Sequence, residues 1–335
     1  MLTHRAHTPP PMRYSFSRTK LLMIVALIGS SAPLYAQPYP SRPIRMIVPN
    51  SPGGSNDVIA RTLAHKLGES MGQPVVVENR PGSGGVIGTD FVAKAPADGY
   101  TVLIAYGSHV VNQSLYAKLP YDTQRDLAPI TQLAQQPLLV LVPATLAVKE
   151  VDQLIALAKA KPRELNYATS GAGSTGHVAT ELLSRLAGIE LVHVPYKGIN
   201  AAMQDVISGQ VQLTIVSIAG ALTNVRSGRL RALAITAPSR SALLPEVPLM
   251  SERGFPGFNV AVSYFALVPA ATPKDIVARL NTEMVKALRS ADVRERFARD
   301  GADPIGDSPE ACAAHIASEI QRWSVEVKRA GARVD

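Results

Sequence analysis

The stretch IRMIVPNSPGGSNDVIAR, residues 44–61, decides the fold class. It opens on a β-branched run, Ile44 to Val48, and passes through a turn rich in proline and glycine. It then takes up a helical pattern, with Ile59, Leu63 and Leu67 four residues apart and Gly68 as a stop. A strand, a Gly-rich turn and a helix make half of a βαβ unit, and the chain repeats that half. Val75 to Glu78, Tyr100 to Ala105, Leu138 to Val142, Leu165 to Thr169, Leu191 to Val194, Leu213 to Val216 and Leu230 to Thr236 read as strands. Helical patterns lie between them at 86–94, 151–161, 178–186, 201–208 and 219–226. Thr272 and Pro273 open a helical C-terminal part with Ile276, Leu280, Met284 and Leu288 on its buried face. The expected fold is α/β, with one βα module at 40–140 and a second at 143–260. The helices from 268 to 335 return to the first module, and crossing segments near 130–142 and 259–268 form a hinge.

Upstream, Arg13, Arg18 and Lys20 precede a continuous apolar run, Leu21 to Ile28, which Gly29, Ser30, Ser31 and Ala32 then dilute. These are the parts of a secretory signal peptide, residues 1–36, with cleavage expected after Ala36. The run is too short to span a bilayer, which needs about 20 apolar residues. No cysteine follows it to carry a lipid. Met12 would serve equally as a start. Removing residues 1–36 takes away Arg5, Arg13, Arg18 and Lys20 and no acid, so the net charge of +8 falls to about +4. The remaining Lys and Arg are scattered along helices rather than clustered with aromatics, which argues against nucleic acid. The single cysteine, Cys312, excludes an intramolecular disulfide and a zinc or iron–sulfur centre, and the seven histidines show no metal-ligand spacing.

Three Gly-rich loops sit where a strand gives way to a helix: residues 49–57, 79–85 and 169–177. Glycine removes the Cβ that would hold a ligand away from the main chain, and the next helix presents unpaired N–H groups. Such a loop is an anion site, for a carboxylate as readily as for a phosphate. The competing reading is that these glycines only make tight βα turns. One anion loop in each module would make an opposed pair of clamps. Residues 171–176 fit G-x-G-x-x-G, but the acid that should end the next strand is missing, since Glu190 precedes that strand. Ser174 lies one glycine short of a nucleophile elbow, His177 is three residues away, and the sequence places no acid to orient it. Asp57, in a first helical turn, can complement the helix dipole, orient the loop, meet a ligand ammonium or act as a base.

At this point the residues resemble a family. Ile47-Val48-Pro49 followed by 51–61, then 78–85, Ala97-Asp98-Gly99-Tyr100, Leu119-Pro120-Tyr121-Asp122, 169–177, 194–198 and 244–248 are similar, in order, to the Bug receptors. These are the TctC-like solute-binding proteins of tripartite tricarboxylate transporters. The resemblance implies a periplasmic, two-lobed Venus-flytrap fold of the type II binding-protein class, with no cofactor and no catalysis. It further implies that main-chain N–H groups and small hydroxyls grip a ligand carboxylate. In lobe one these come from Ser51, Gly53, Gly54, Ser55 and Asp57, and in lobe two from Thr169, Ser170, Gly173, Ser174 and His177. Gly107, Ser108, His109 and Ser217 would line the side of the pocket. Expected partners are a small carboxylate and the membrane subunits of a tripartite transporter or a sensor kinase, with the receptor itself a monomer. Two departures stand out. Asn50 replaces the usual aromatic residue after the loop-one proline, and Ser263-Tyr264-Phe265 replaces a frequent Trp-Tyr-Gly. Asn50 could add a polar contact and Phe265 could narrow the pocket, or both could be neutral repacking. The alternatives to a transport receptor are an exported enzyme using Ser174 and His177, and a component that presents its ligand to a sensor.

Overall fold

A computed structural model describes residues 39–237 and 239–330; the expected signal peptide, residues 1–36, lies outside the described residues. The opening stretch folds as read. Strand β1 (Ile44–Val48) pairs in parallel with β2 (Val75–Asn79) and β3 (Thr101–Ala105). Parallel neighbours need crossovers, and these are helices α1 (Ser55–Met71) and α2 (Val86–Ala93). Helix α1 starts three residues before its periodic pattern and buries Ile59, Leu63 and Leu67 against the sheet. A third helix, α3 (Ser108–Leu115), follows β3 directly.

Strand β4 (Leu127–Pro143) is 17 residues long, roughly 55 Å at the usual rise of a strand. Residues 127–137 pair antiparallel with β9 (Ala261–Pro269), which also pairs with β3. From Leu138 onward β4 changes partners, to β7 (Leu213–Ser217) on one side and β8 (Leu230–Ile235) on the other. Strand β7 in turn carries β5 (Asn166–Thr169), and β5 carries β6 (Val192–Pro195), both pairs parallel. Two sheets therefore share one strand. The first runs β2-β1-β3-β9-β4, with the short β10 (Asp303–Pro304) on the free side of β4; the second runs β8-β4-β7-β5-β6. Each carries its own helices, giving a two-lobed α/β fold.

The second connection between the sheets is pinned to β4 where β4 changes partners. Thr236 N donates to Leu138 O at 2.9 Å, Leu138 N donates to Thr236 Oγ1 at 2.9 Å, and Val260 N donates to Thr236 O at 3.0 Å. In its first half β4 shifts register against β9 between Pro129 and Thr131 and again between Gln132 and Ala134. A bulge leaves an amide without a ladder partner; here Asp307 Oδ1 accepts from Gln132 N at 2.7 Å and from Thr131 Oγ1 at 3.0 Å.

Around the second sheet, α4 (Val151–Ala160), α5 (Thr175–Ala187), α6 (Ile199–Ile207) and α7 (Ile218–Arg226) supply the helical layers. Leu139, Leu141, Met203, Val206, Leu230 and Ile235 form part of one buried cluster there. Helix α8 (Lys274–Arg289) buries Leu280, Met284 and Leu288 and packs on α1 and β4, and α9 (Ala291–Arg299) follows with Phe297 enclosed. The last helix, α10 (Pro309–Ala330), lies along α3 and β4 and also reaches α5. Arg185 on α5 and Glu326 on α10 form an ion pair at 2.8 Å. Cys312, Ile316, Trp323 and Val327 make the buried stripe of α10, and burial pushes the Cys312 thiol up, so it is a packing residue. No helix among the described residues is long and apolar enough to cross a membrane.

Candidate ligand-binding site

In parallel βα units, ligands collect beyond the C-terminal ends of the strands, where the helices begin. The three Gly-rich loops lie there. Loop one, residues 49–54, is shaped by Asp57, which is 3% exposed. Asp57 Oδ2 accepts from Gly53 N at 3.0 Å and from Arg61 Nε at 2.9 Å, and Oδ1 accepts from Asn79 Nδ2 at 2.9 Å. Burial alone would raise this carboxyl, but hydrogen bonds from Arg61, Gly53 and Asn79, with the charge of Arg61, hold it below the usual range. Both oxygens of Asp57 are thus engaged in fixing the loop. Ser51 and Gly53 stand exposed on it, and Gly54 precedes the first residue of α1.

Asn50, the departure from the expected aromatic, is knit into the same loop. Its side-chain oxygen accepts from Asn56 Nδ2 at 3.0 Å, and its carbonyl accepts from Asn79 Nδ2 at 3.1 Å. Asn56 Nδ2 also donates to Ile104 O at 2.8 Å, which ties loop one to the end of β3. Two phenols then gather the small polar groups. Tyr106 is hydrogen-bonded with Ser108 and Asn50, and burial raises its phenol despite them. Tyr264 donates to Gln136 Oε1 at 2.9 Å; burial raises it too, against a hydrogen bond with Ser55. Neither tyrosine was singled out from sequence as a site residue. Tyr106 adjoins Gly107-Ser108, and Tyr264 is the middle residue of the Ser263-Tyr264-Phe265 departure, the available signals for them. Phe265 points the other way along the pleat, against His315 of α10, so it packs the core and does not narrow the site.

Loop two is held from α3. Asn112 Nδ2 donates to Gly84 O at 3.0 Å, and the Tyr116 hydroxyl donates to Ser83 O at 2.9 Å. Residues 82–85 all have positive φ, including Ser83 at 47°, a conformation that turns successive amides toward one side. His109, in the first turn of α3, is 2% exposed; burial lowers its pKa to about 4, so the imidazole is neutral near pH 7. Ser217 ends β7 and precedes α7, half-buried.

Loop three closes on itself. Ser174 caps α5, its Oγ accepting from His177 N at 3.3 Å. His177 Nδ1 accepts from Gly173 N at 3.2 Å. Thr169 Oγ1 donates to Gly171 O at 3.1 Å and accepts from Gly171 N at 3.2 Å, while Ser170 is exposed. Ser174 Oγ and His177 Nδ1 thus each accept from the loop's own backbone, and the two side chains are not bonded to one another as a nucleophile and base would be. Among the described residues no three His, Cys, Asp or Glu side chains are grouped as a metal would need.

The loops of the two sheets meet. A Cβ on Gly107 would fall 2.3 Å from Thr175 Oγ1, and one on Gly173 would fall 2.3 Å from Leu115 Cδ1. A Cβ on Gly84 would lie 3.9 Å from Ala172 O. The start of α3 thus abuts the start of α5, with Thr175 buried between them. Helix amino-termini, turned amides and hydroxyls are groups of the kind that suit an anion, and the Asp57 carboxylate beside them is paired with Arg61.

Comparison with known proteins agrees with this geometry. The family model described as "Tripartite tricarboxylate transporter family receptor" matches residues 59–332. Protein BugT of Bordetella pertussis is 42% identical over 322 residues, covering 94% of this chain and 99% of its own. The solved periplasmic binding protein BugD superposes with a TM-score of 0.82 at 31% identity, over 88% of this chain and 99% of its own. An R. palustris protein solved with adipate superposes with a TM-score of 0.84 at 38% identity, over 88% and 100%.

Proposed function

This chain belongs to the tripartite tricarboxylate transporter family of receptors, and on that premise we propose that it captures a small carboxylate between its lobes and releases it unchanged. As a receptor of this family it is periplasmic and not an enzyme. The lobes are assigned to residues 40–140 with 268–335, and to 143–260, behind a signal peptide, 1–36, that is cleaved on export. The receptor works as a monomer that hands its ligand to the membrane subunits of a tripartite transporter.

The observation that carries this reading is the close approach of Gly107 to Thr175, which brings the amino-terminal ends of two helices from different sheets together. Like ends of two helix dipoles repel, and an anion between them turns that repulsion into attraction. The carboxylate is assigned to the cleft lined by Ser51, Gly53, Gly54 and Ser55 on one side and by Thr169, Ser170, Gly173 and Ser174 on the other, where the Gly53 and Gly173 amides and the Thr169 hydroxyl are already engaged in holding the loops. Gly107, Ser108, His109 and Ser217 are assigned to the flank. Asp57 and His177 serve the site by shaping loops one and three, through the bonds they already make. Neutral donors suit a receptor, because preorganised dipoles grip an anion yet let it go.

A thermal-shift panel tests the reading, with adipate, other dicarboxylates, amino acids, aromatic carboxylates and a neutral sugar. A ligand at a hundred times its Kd is expected to add about 2.7 kcal/mol of stability. A shift with the sugar and none with any carboxylate would sink the anion-clamp reading.

A further inference from the structure

Behind loop three His177 belongs to a column of rings whose other members, His193 and Tyr167, the binding reading does not use. His177 and His193 stack with centroids 4.1 Å apart and planes within 13°, and His193 stacks on Tyr167 at 4.9 Å and 17°. Each imidazole holds a different point of the loop. His177 Nδ1 accepts the Gly173 N–H. His193 Nε2 lies 2.7 Å from Thr169 Oγ1, the hydroxyl that itself donates to Gly171 O and accepts from Gly171 N. These bonds set both tautomers. His177 must carry its proton on Nε2 to leave Nδ1 as an acceptor. Thr169 Oγ1, already donating to Gly171 O, accepts a hydrogen bond from the N–H at His193 Nε2.

We propose that the stacked pair His177–His193 is the positioning element of loop three, which aims the Gly171–Ser174 segment only while both imidazoles are neutral. The proposal rests on loop three being a ligand clamp, and the pair acts through the loop without touching the ligand. A proton on His177 Nδ1 would remove the acceptor for Gly173, and a second proton on His193 would set two cations face to face across the stack.

The surroundings give that charge little relief. Tyr167 on β5 offers a ring face, and its hydroxyl is bonded to Glu181 on α5. Glu181 is the charged group that favours protonated His193, outweighed by burial and by His177. Strand β7, packed on α5, carries no titratable side chain, and on α10 Glu326 pairs with Arg185. Tyr196, beyond β6, gives its hydroxyl to Asp205. Burial takes both imidazoles from 6.5 down to about 4. The sign follows: the unfolded chain binds protons that the native pair refuses, so stability from the neutral pair is complete above about 6.5 and is lost as pH falls toward about 4.

The test follows amide exchange at Gly173, as protection relative to an unstructured amide at the same pH, together with adipate affinity. Both are measured from about pH 7 to about pH 4.5 in the wild type, His177→Asn and His177→Leu. Asparagine keeps an acceptor at the δ position that takes up no proton in this range; leucine keeps none. Wild-type protection is expected to fall about threefold across the range, because an imidazole with a pKa of about 4 is roughly a quarter protonated at about pH 4.5 and one lost hydrogen bond is worth about tenfold, while His177→Asn stays level and His177→Leu is low throughout. Adipate affinity should follow the same order, and comparison at matched pH cancels the titration of adipate itself. Identical pH profiles in the wild type and His177→Asn would overturn the proposal, as would loss of Gly173 protection only when the whole fold is lost. If neither adipate nor any other panel member binds at pH 7, the receptor-site reading fails, and the exchange data alone still decide whether the pair positions the loop.

Discussion

Gly107→Val is expected to cut carboxylate affinity by roughly a hundredfold or more. The backbone of Gly107 is ordinary right-handed helix, φ −45° and ψ −33°, so a side chain meets no local strain. The obstacle lies across the cleft: the first carbon of that side chain would sit 2.3 Å from Thr175 Oγ1. Overfilling a packed contact costs about 1–3 kcal/mol for added methylenes, and valine adds three carbons at a point with no slack. In a receptor that opens and closes, that cost falls on the form in which Gly107 meets Thr175, so affinity is expected to drop by the fraction of molecules still able to adopt it. Calorimetry with the best carboxylate of the panel reads the loss, and small-angle scattering reads whether the variant still contracts with ligand. Wild-type affinity in this variant would show that ligand is held without the Gly107–Thr175 contact.

The second large effect is on stability alone. Gly176 opens α5 against β7 so closely that a Cβ would fall 2.2 Å from the carbonyl oxygen of Ile215. A backbone oxygen in a sheet cannot rotate away as the end of a side chain can, so helix and strand must part. Gly176→Ala is therefore expected to cost about 3 kcal/mol, and roughly 6–10 °C in Tm for a domain of this size. Urea denaturation followed by circular dichroism measures it. A change below about 0.5 kcal/mol, the range of neutral surface substitutions, would mean that α5 does not approach β7 this closely.

The two predictions rest on features that were unequally legible in the sequence. The β1–loop–α1 unit was readable because its apolar positions face one core and its glycines sit at the turn, all within residues 44–68. Strand β4 was readable only from Leu138, where its residues turn apolar. Before that it buries Thr131, Gln132 and Gln136, polar residues that break the pattern. Their partners, Asp307, the Asp300 carbonyl and Tyr264, come from more than a hundred residues away. Helix α3 escaped for a similar reason: it is eight residues long and turns Ser108, His109 and Asn112 inward. The glycines of the site were visible as residue types. That Gly107 is matched to Thr175, that Asp57 is occupied by Asn79, and that His177 leans on His193 depend on contacts between distant segments, and one sequence carries no trace of them.

Strand β4 has a consequence of another kind. A receptor built as two lobes on a flexible link could lose one and keep the other. Here one unbroken 17-residue strand serves both sheets, residues 127–137 in the first and 138–143 in the second, so melting either sheet frees one end of a strand that the other still holds. The two sheets are therefore expected to share a single melting transition, so that a ligand bound at either sheet would slow proteolysis in both.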